Sequence, residues 1–586
     1  MNHLDYGLIG NGQTAALVSS RGSIEWCCMP SFDSPSVFAR LLDEKTGGCF
    51  EIVPSGNYLI EQCYLKNTNV LETTFTSRDA AFQLIDFMPC WTTDSYDTHY
   101  NPCKLFRLIR VLKGEPILKI RFDPRLNYGI ADTEVGELDP WSLVARNRVE
   151  NIFLSSNMPA TDILASNEIT LSQDTFFIVS HGRPMENSSL GTVEDHLNRT
   201  IDYWRRWVRN TYLPKEYQTE IIRSALTLKQ LVYHPTGAIL AAPTTSIPEI
   251  VGGNRNWDYR FCWLRDAYFI IEALLRLSRF EVVEGFISYL KHILEERGDY
   301  LRPMFTIDGQ VVPEEIVLDH WAGYKNSPPV RIGNNATTHF QNDVYGEMVL
   351  ALYPLFTDER VVRGDVEHLW EMVVFLVEVA QEKFPEQDNG LWEFRNYPRH
   401  YTFSKIMCWV ALDRGAKIAR ILKKGKEWRA WTRAKNRMRN EVLEQAWNPD
   451  IQAFTQAYGS EHLDASTLLM PRLGMIDAKD PRMYSTIMLS EEKLMKNGLA
   501  FRYTNEDDFG KPENAFTICT FWVIDALAMA GQKKRARQYF DNVLRFSNHL
   551  GLFSEDVNPI SGELAGNFPQ GYTHVAIINT AMLLVG

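Results

Sequence analysis

The period of hydrophobicity changes once along this chain, and that change restricts what it can fold into. From Tyr6 to about Met185, apolar and β-branched residues recur in short runs, at 14–19, 69–76, 105–112, 118–122 and 175–180. Turn signals such as Ser55-Gly56-Asn57 and Lys113-Gly114 separate these runs, so the segment reads as an antiparallel β-sandwich of roughly 180 residues. Glu186-Asn-Ser-Ser-Leu-Gly191 marks a boundary. Residues 193–210 then read as a charged connecting helix, with Ile201, Trp204 and Val208 on one stripe. Beyond it the period is 3.6 and the spacing predicts twelve helices, at 215–231, 264–277, 280–296, 343–353, 365–383, 403–423, 427–447, 464–473, 481–496, 515–530, 533–548 and 572–584. Short links such as Lys423-Lys424-Gly425-Lys426 and Gly531-Gln532 pair them as antiparallel hairpins. Twelve helices in consecutive hairpins can close into a double ring, six inside and six outside. The expected organisation is a β-sandwich over 1–190, a linker helix over 191–214 and a helical domain over 215–586.

A chain of 586 residues exceeds one ordinary core, in keeping with that division. Its 45% hydrophobic and 23% charged residues place it among globular proteins. A formal charge of -12 disfavours a nucleic-acid or anionic-membrane partner. The first residues lack a basic n-region and an apolar h-region, and no apolar run reaches membrane-spanning length, so a cytoplasmic protein is expected. The nine cysteines are odd in number and lack paired CxxC spacing, which points to reduced thiols. His339, His400 and His574 have no ligand spacing either, and hydrogen-bonded packing is the simpler reading of each.

Five connections are longer than a helix hairpin needs: 244–263, 297–339, 386–401, 498–514 and 550–571. Each carries aromatic and carboxylate side chains, and function is expected where they converge. The densest is Gly253-Asn-Arg-Asn-Trp-Asp-Tyr-Arg-Phe-Cys-Trp-Leu-Arg-Asp-Ala267, which ends in Arg265-Asp266 at the start of an apolar run. Side chains there can face a cavity; the same composition also suits packed tryptophans and surface ion pairs at a helix start. Two glutamates fit the inverting cleavage of an acetal, which needs one protonated carboxyl for the leaving oxygen and one carboxylate to activate water. Glu393 lies between Trp392 and Phe394, whose apolar character is expected to raise its pKa, whereas Glu555 has more polar neighbours and suits the ionised partner. Asp556 and Glu563 rival Glu555, and either glutamate taken alone is more often a surface carboxylate than a catalyst. Asp413-Arg414 and Asp343 are expected as buried pairs or helix caps. Trp428, Trp431 and Lys435 are expected as outer-ring packing with the lysine stem along the rings. The aromatic loop from Trp26 to Asp33 reads as a structural plug, or as an arm reaching a site on the other domain.

Together the motifs resemble glycoside hydrolase family 15. They are Arg255 to Ala267, Gln341-Asn-Asp-Val-Tyr-Gly-Glu347, Gly390-Leu-Trp-Glu393, the run from Tyr401 to Arg414, Phe501-Arg-Tyr503, Gly551-Leu-Phe-Ser-Glu555 and Gly566-Asn-Phe-Pro-Gln-Gly-Tyr-Thr-His574. The opening Tyr6 to Val18, with Gly22-Ser-Ile-Glu-Trp26 and Phe32-Asp-Ser-Pro-Ser36, is similar to the bacterial and archaeal branch, and the likeness spans nearly the whole chain. It implies an N-terminal β-sandwich on an (α/α)6 barrel, hydrolysis by inversion, and no cofactor or metal. Glu393 then matches the general acid and Glu555 the general base. Arg265 and Asp266 match the pair that grips the terminal glucose, Trp263 and Trp392 the pocket aromatics, Tyr259 the tyrosine beside the reacting centre, and Arg502 the arginine of the first subsites. Where starch-acting relatives carry a second glutamate after the acid, this chain has Phe394. The expected activity is glucoamylase-like, releasing β-glucose from non-reducing ends of α-gluco-oligosaccharides; the alternatives are an α,α-trehalase acting on a disaccharide and a non-catalytic carbohydrate-binding toroid.

Overall fold

In the computed structural model, residues 4–93, 99–296, 300–361 and 365–586 are described. The first three positions of the expected 297–339 connection lie outside them. Among the described residues, the amino-terminal part forms a seven-stranded and an eight-stranded sheet with antiparallel pairing. They face each other through side chains such as Phe50 and Phe177, whose rings meet edge to face at 5.7 Å. Arg107 crosses this interior fully buried, bonded to Asp86 at 2.7 Å and to the Phe50 carbonyl at 2.7 Å. The helix Leu190–Arg209 follows, capped by Ser189, whose hydroxyl accepts from the Thr192 amide at 3.2 Å. Its buried Val193 and Leu197 pack on the outer face of the larger sheet, against Phe87, Phe106 and Ile178.

The remaining helices form the expected double ring. Inner helices Leu264–Arg276, Val344–Leu352, Thr402–Ile421, Thr517–Met529 and Gly571–Val585, with the segment Ala465–Leu473 between the third and fourth of these, contact one another in sequence, and the last packs back on the first. Each has an outer partner: Gln218–Gln230, Phe280–Glu296, Val366–Lys383, Gly425–Gln445, Pro481–Leu494 and Lys533–Val543. Sequence character separates the rings. Thr517–Met529 is buried on every face, whereas Gly425–Gln445 buries only the stripe Trp431, Ala434, Met438, Val442 and Leu443. At the seam where the ring closes, a Cβ on Gly571 would come within 3.0 Å of Ile270 and 3.3 Å of the Ala241 carbonyl, so glycine permits the approach.

Three expectations need correction. The stretch 464–473 is a 3-10 helix, Ala465–Leu469, followed by the short helix Met470–Leu473, because Pro471 has no amide to continue the first ladder. Lys435 does not run along tryptophan rings: its ammonium meets Asp413 at 2.7 Å, and Trp428 is 40% exposed while Trp431 packs on Trp370. Asp413 is the expected buried partner of Arg414, and, against the opposing effect of burial, bonds from Lys417 and Lys435 hold its carboxyl down to about 2. Asp343 precedes Val344–Leu352 without a side-chain capping bond. It lies fully buried near Glu347, and burial raises both carboxyls, Glu347 well above the usual range.

All nine cysteines are free. Among the described residues no helix is long and apolar enough to cross a membrane. The Trp26 to Asp33 loop docks the sandwich on the barrel: Trp26 donates to the Pro243 carbonyl at 2.8 Å, and Arg260 donates to the Ser34 carbonyl just beyond the loop at 2.8 Å.

Candidate active site

Helix N-termini set the position of the site. The inner helices that begin at Leu264, Thr517 and Gly571 bring Arg265, Asp266, Phe516, Gln570 and Tyr572 to one cavity of about 90 Å³. The first amides of these three helices are taken by the Pro303, Glu555 and Ala241 carbonyls, so the groups left to meet a ligand at this end of the barrel are side chains. The expected long loops supply the rest of the lining: Tyr259 and Trp263, Trp392 and Glu393, Arg502, and Glu555 all face the same space. All eight residues singled out in the sequence therefore converge. A larger hollow of about 1070 Å³ lies where Tyr64, Arg223 and Leu550 meet, but its lining contains Glu220 as its one carboxylate.

Glu555 immediately precedes the central strand of a three-stranded sheet made by Ala515–Phe516, Asp556–Val557 and Leu564–Ala565. Its amide donates to the Asn567 carbonyl at 3.2 Å, and the Glu555 carbonyl accepts from the Thr517 amide at 2.9 Å. Gly566, at φ 75°, faces it; a Cβ there would fall 2.6 Å from Oε2, so only glycine leaves room for the carboxylate. The Tyr259 hydroxyl donates to Oε1 at 2.5 Å. Glu393 lies in a turn at φ 63°, a left-handed backbone that costs a non-glycine residue of order 1–3 kcal/mol. The Trp263 indole donates to its Oε1 at 2.8 Å, and Arg265 approaches to 3.7 Å. Tyr259 and Trp263 pack edge to face with centroids 5.3 Å apart. Two touching rings, one bonded to each carboxylate, thus span the space between Glu393 and Glu555.

The surroundings expected from sequence neighbours are reversed. Glu555 is 1% exposed, and burial and the charge of Glu249 push it up to about 8 against the opposing bond from Tyr259 and the charge of Arg502. The Glu393 side chain is 24% exposed. Its apolar flanks also line the cavity but have contacts of their own: Trp392 donates to Asp464 at 2.8 Å and packs on Phe516 and Trp522, while Phe394 stacks on Tyr401. Sequence adjacency gave the residue types but not their directions. Asp556, the expected rival, is 2% exposed and does not line the cavity; Glu563 does not line it either.

Arg265 and Asp266 line the cavity next to Glu393. The guanidinium donates to Gln341 at 3.2 Å and to the Leu391 carbonyl at 3.1 Å, and it stands 3.3 Å from Asp266. Burial, with the charge of Glu393, pushes Asp266 up to about 6 although Arg265 pulls the other way. Arg265 Nε, Asp266 Oδ2, Gln341 Nε2 and the Tyr572 hydroxyl are buried without a hydrogen-bond partner. Such groups are rare in protein interiors, and three of the four belong to residues that line the cavity, where they match the donors and acceptors of a hydroxylated ligand. Arg502 is 8% exposed and bonds Glu249 at 2.8 Å.

Glu249 and His339 are among the lining residues not assigned to the site from sequence. Glu249 was passed over inside the 244–263 connection, since its partner Arg502 is 253 positions away. His339, left as packing, lines the cavity, where burial lowers its pKa. His400 stacks on Tyr458, and His574 is buried, bonded to Ser224 at 3.0 Å and accepting from the Phe553 amide at 3.3 Å. Among the described residues no group of three or more histidine, cysteine and acidic side chains could hold a metal ion.

Comparison with known proteins identifies the family and the fold. The profile described as Glycosyl hydrolases family 15 matches residues 215–582, and one described as Trehalase-like, N-terminal matches residues 5–150. A protein named trehalase from Thermoplasma volcanium is 35% identical, over 98% of this chain and 92% of the relative. Another named trehalase, from Mycobacterium tuberculosis, is 32% identical over 99% of this chain and 89% of the relative. A crystal structure of a bacterial glucoamylase complexed with acarbose superposes with a TM-score of 0.74 at 14% identity, covering 100% of this chain and 94% of that one, and so shares the fold of sandwich and (α/α)6 barrel. With the profile spanning most of the chain and relatives this similar end to end, the protein is a glycoside hydrolase and belongs to glycosyl hydrolases family 15.

Proposed function

We propose that this enzyme hydrolyses α,α-trehalose with inversion at one anomeric carbon. The observation that carries the substrate is the run of relatives named trehalase, 31–35% identical across both the sandwich and the barrel. It favours the trehalase alternative over the glucoamylase-like action expected first from the sequence. One glucose occupies the Arg265–Asp266 side, where its hydroxyls meet the unpartnered groups. Glu393 gives a proton to the bridging oxygen. Trp263 holds Oε1, which leaves Oε2 to carry that proton. Glu555 removes a proton from water, whose oxygen bonds to the anomeric carbon as the glycosidic bond breaks. A carboxylate with a raised pKa is a stronger base than an ordinary one, so the burial of Glu555 serves this role once it is ionised. The ring bridge Tyr259–Trp263 keeps the two carboxyls apart and leaves space for that water.

Inversion of trehalose yields one β-glucose from the attacked ring and one α-glucose as leaving group. Proton NMR during the first turnover times is expected to show both anomers in equal amounts; α-glucose alone would exclude inversion. The substrate is tested by kcat/KM on trehalose, maltotriose and isomaltose. Trehalose is expected to lead by about tenfold or more, equivalent to roughly 1.4 kcal/mol of transition-state preference. A lead for maltotriose or isomaltose would return the enzyme to glucoamylase-like action.

A further inference from the structure

Phe394 directly follows Glu393, and its ring is 4% exposed. It stacks on Tyr401 with centroids 5.0 Å apart and planes 5° from parallel, and it leans on Tyr503 at 5.4 Å. Both neighbours are themselves fixed. Behind Tyr401 stands Gly390, at φ 66°, where a Cβ would come within 2.7 Å of the tyrosine ring; the Tyr401 hydroxyl donates to the Tyr397 carbonyl at 2.7 Å. The Tyr503 hydroxyl bonds Asp507, which Arg255 grips through two nitrogens at 2.6 and 2.9 Å. The Phe394 backbone is tied at both ends to Asn389, by its amide at 3.0 Å and its carbonyl at 2.7 Å. A ring held this way cannot swing aside for a ligand without breaking several contacts.

Two cavities meet at this ring. One is the catalytic cavity; the other, of about 160 Å³, is lined by Arg399, Gln456, His462, Asn505 and Glu506 among others, and Phe394 is the one residue common to both linings. The second cavity thus carries donors and acceptors suited to sugar hydroxyls, yet it is separated from Glu393 by one aromatic side chain. We infer that Phe394 is a specificity-determining wall that ends the leaving-group side of the site after one sugar residue, and that the cavity behind it is the blocked path a longer chain would take. The inference rests on the reading of the enzyme as one that cleaves a disaccharide. An apolar face there can pack against a single glucose ring, while a third residue meets the wall with its hydroxyls unpaired.

The test uses the whole enzyme and the variants Phe394→Ala and Phe394→Leu, with kcat/KM measured on trehalose, maltose, maltotriose and α-glucosyl fluoride. The fluoride has no sugar leaving group, so it reports the first glucose site and the two carboxyls alone and serves to normalise the others. In the wild type, maltotriose is expected to be cleaved less well than maltose. In Phe394→Ala the ratio of maltotriose to maltose is expected to rise by about tenfold, with Phe394→Leu between, while the ratio of trehalose to fluoride falls. A wild type that already cleaves maltotriose as well as maltose would overturn the wall, and so would an unchanged ratio in the variants. If Phe394→Ala melts before assay, Phe394→Leu decides the matter. Failure of the wild type on trehalose alone would instead overturn the substrate proposed above, while the maltotriose to maltose ratio would still judge the wall.

Discussion

Two arginine–aspartate pairs stand within nine residues of each other and have opposite constitutions. Arg260 and Asp258 make two bonds to each other, at 2.9 and 2.7 Å, and Arg260 adds the Ser34 carbonyl at 2.8 Å and the Tyr128 hydroxyl at 3.0 Å. Asp258 also accepts from the Gly333 amide at 3.2 Å. Arg265 and Asp266 approach only to 3.3 Å, Nη2 to Oδ2, and neither Arg265 Nε nor Asp266 Oδ2 makes a hydrogen bond. The first pair faces the sandwich and the second faces the cavity. A satisfied buried pair resists unfolding once formed, because removing either partner strands the other. An unsatisfied one has been left open for something that arrives later. The same residue types, in one loop, thus serve the fold on one side and the ligand on the other.

The sharpest way to press this contrast is at the carboxyls on the ligand side. Glu393→Gln and Glu555→Gln are each expected to lose about 10²- to 10⁴-fold in kcat while melting cooperatively near the wild-type temperature; near-normal turnover would remove that residue from the chemistry. Arg260→Ala should do the reverse, lowering stability by about 3–5 kcal/mol in denaturant titration with little change in kcat per folded molecule. If it instead lowered kcat at unchanged stability, the two faces of the loop would not be separable. Arg265→Ala and Asp266→Ala are expected to cost about 1–3 kcal/mol of transition-state stabilisation and to weaken inhibition by glucose, because their sugar partners lose a bond inside a closed site. Unchanged inhibition would return that pair to the structural class of Arg260 and Asp258.

Smaller effects follow from charge. Glu249→Gln removes the negative charge that, after burial, most raises Glu555, so the acid limb of kcat/KM is expected to move to lower pH; movement to higher pH would contradict the assigned cause. Glu555 is raised in the fold relative to the unfolded chain, which gives a stability signature of definite sign. Between about pH 4 and 8 the folded protein holds a proton that the unfolded chain has released. Wild-type stability therefore falls as pH climbs through that window, and the loss is complete above the folded value. Glu555→Gln abolishes this term, so its melting temperature is expected to gain on the wild type at pH 8 and not at pH 4.

The architecture was legible because it is written in periodicity: the switch from alternating runs to a 3.6 repeat separates sheets from rings, and short links such as Gly531-Gln532 pair the helices. The candidate site residues that line the cavity were legible through motifs similar to those of family 15, lying in or beside loops too long and too rich in aromatic and acidic groups for mere connection. What could not be read was direction. Trp392 and Phe394 flank Glu393 in sequence yet turn to Asp464 and Tyr401, and Glu555 has polar neighbours in sequence yet lies almost sealed from solvent. Partnerships over long separations were equally hidden, as Glu249 with Arg502 and Lys435 with Asp413 show.

The closed ring of inner helices carries a consequence for how activity is acquired. Arg265 belongs to its first member and Tyr572 to its last, so the donors and acceptors around the cavity come together only when Gly571–Val585 seats against Leu264–Arg276. Contacts between segments so distant in the chain form slowly, since a large loop must close before any of them is rewarded. Helical hairpins can therefore assemble early, each with local contacts, in a chain that cannot yet bind sugar. During refolding, recovery of hydrolysis should lag behind recovery of helix content, and the delay measures the time needed to close the circle.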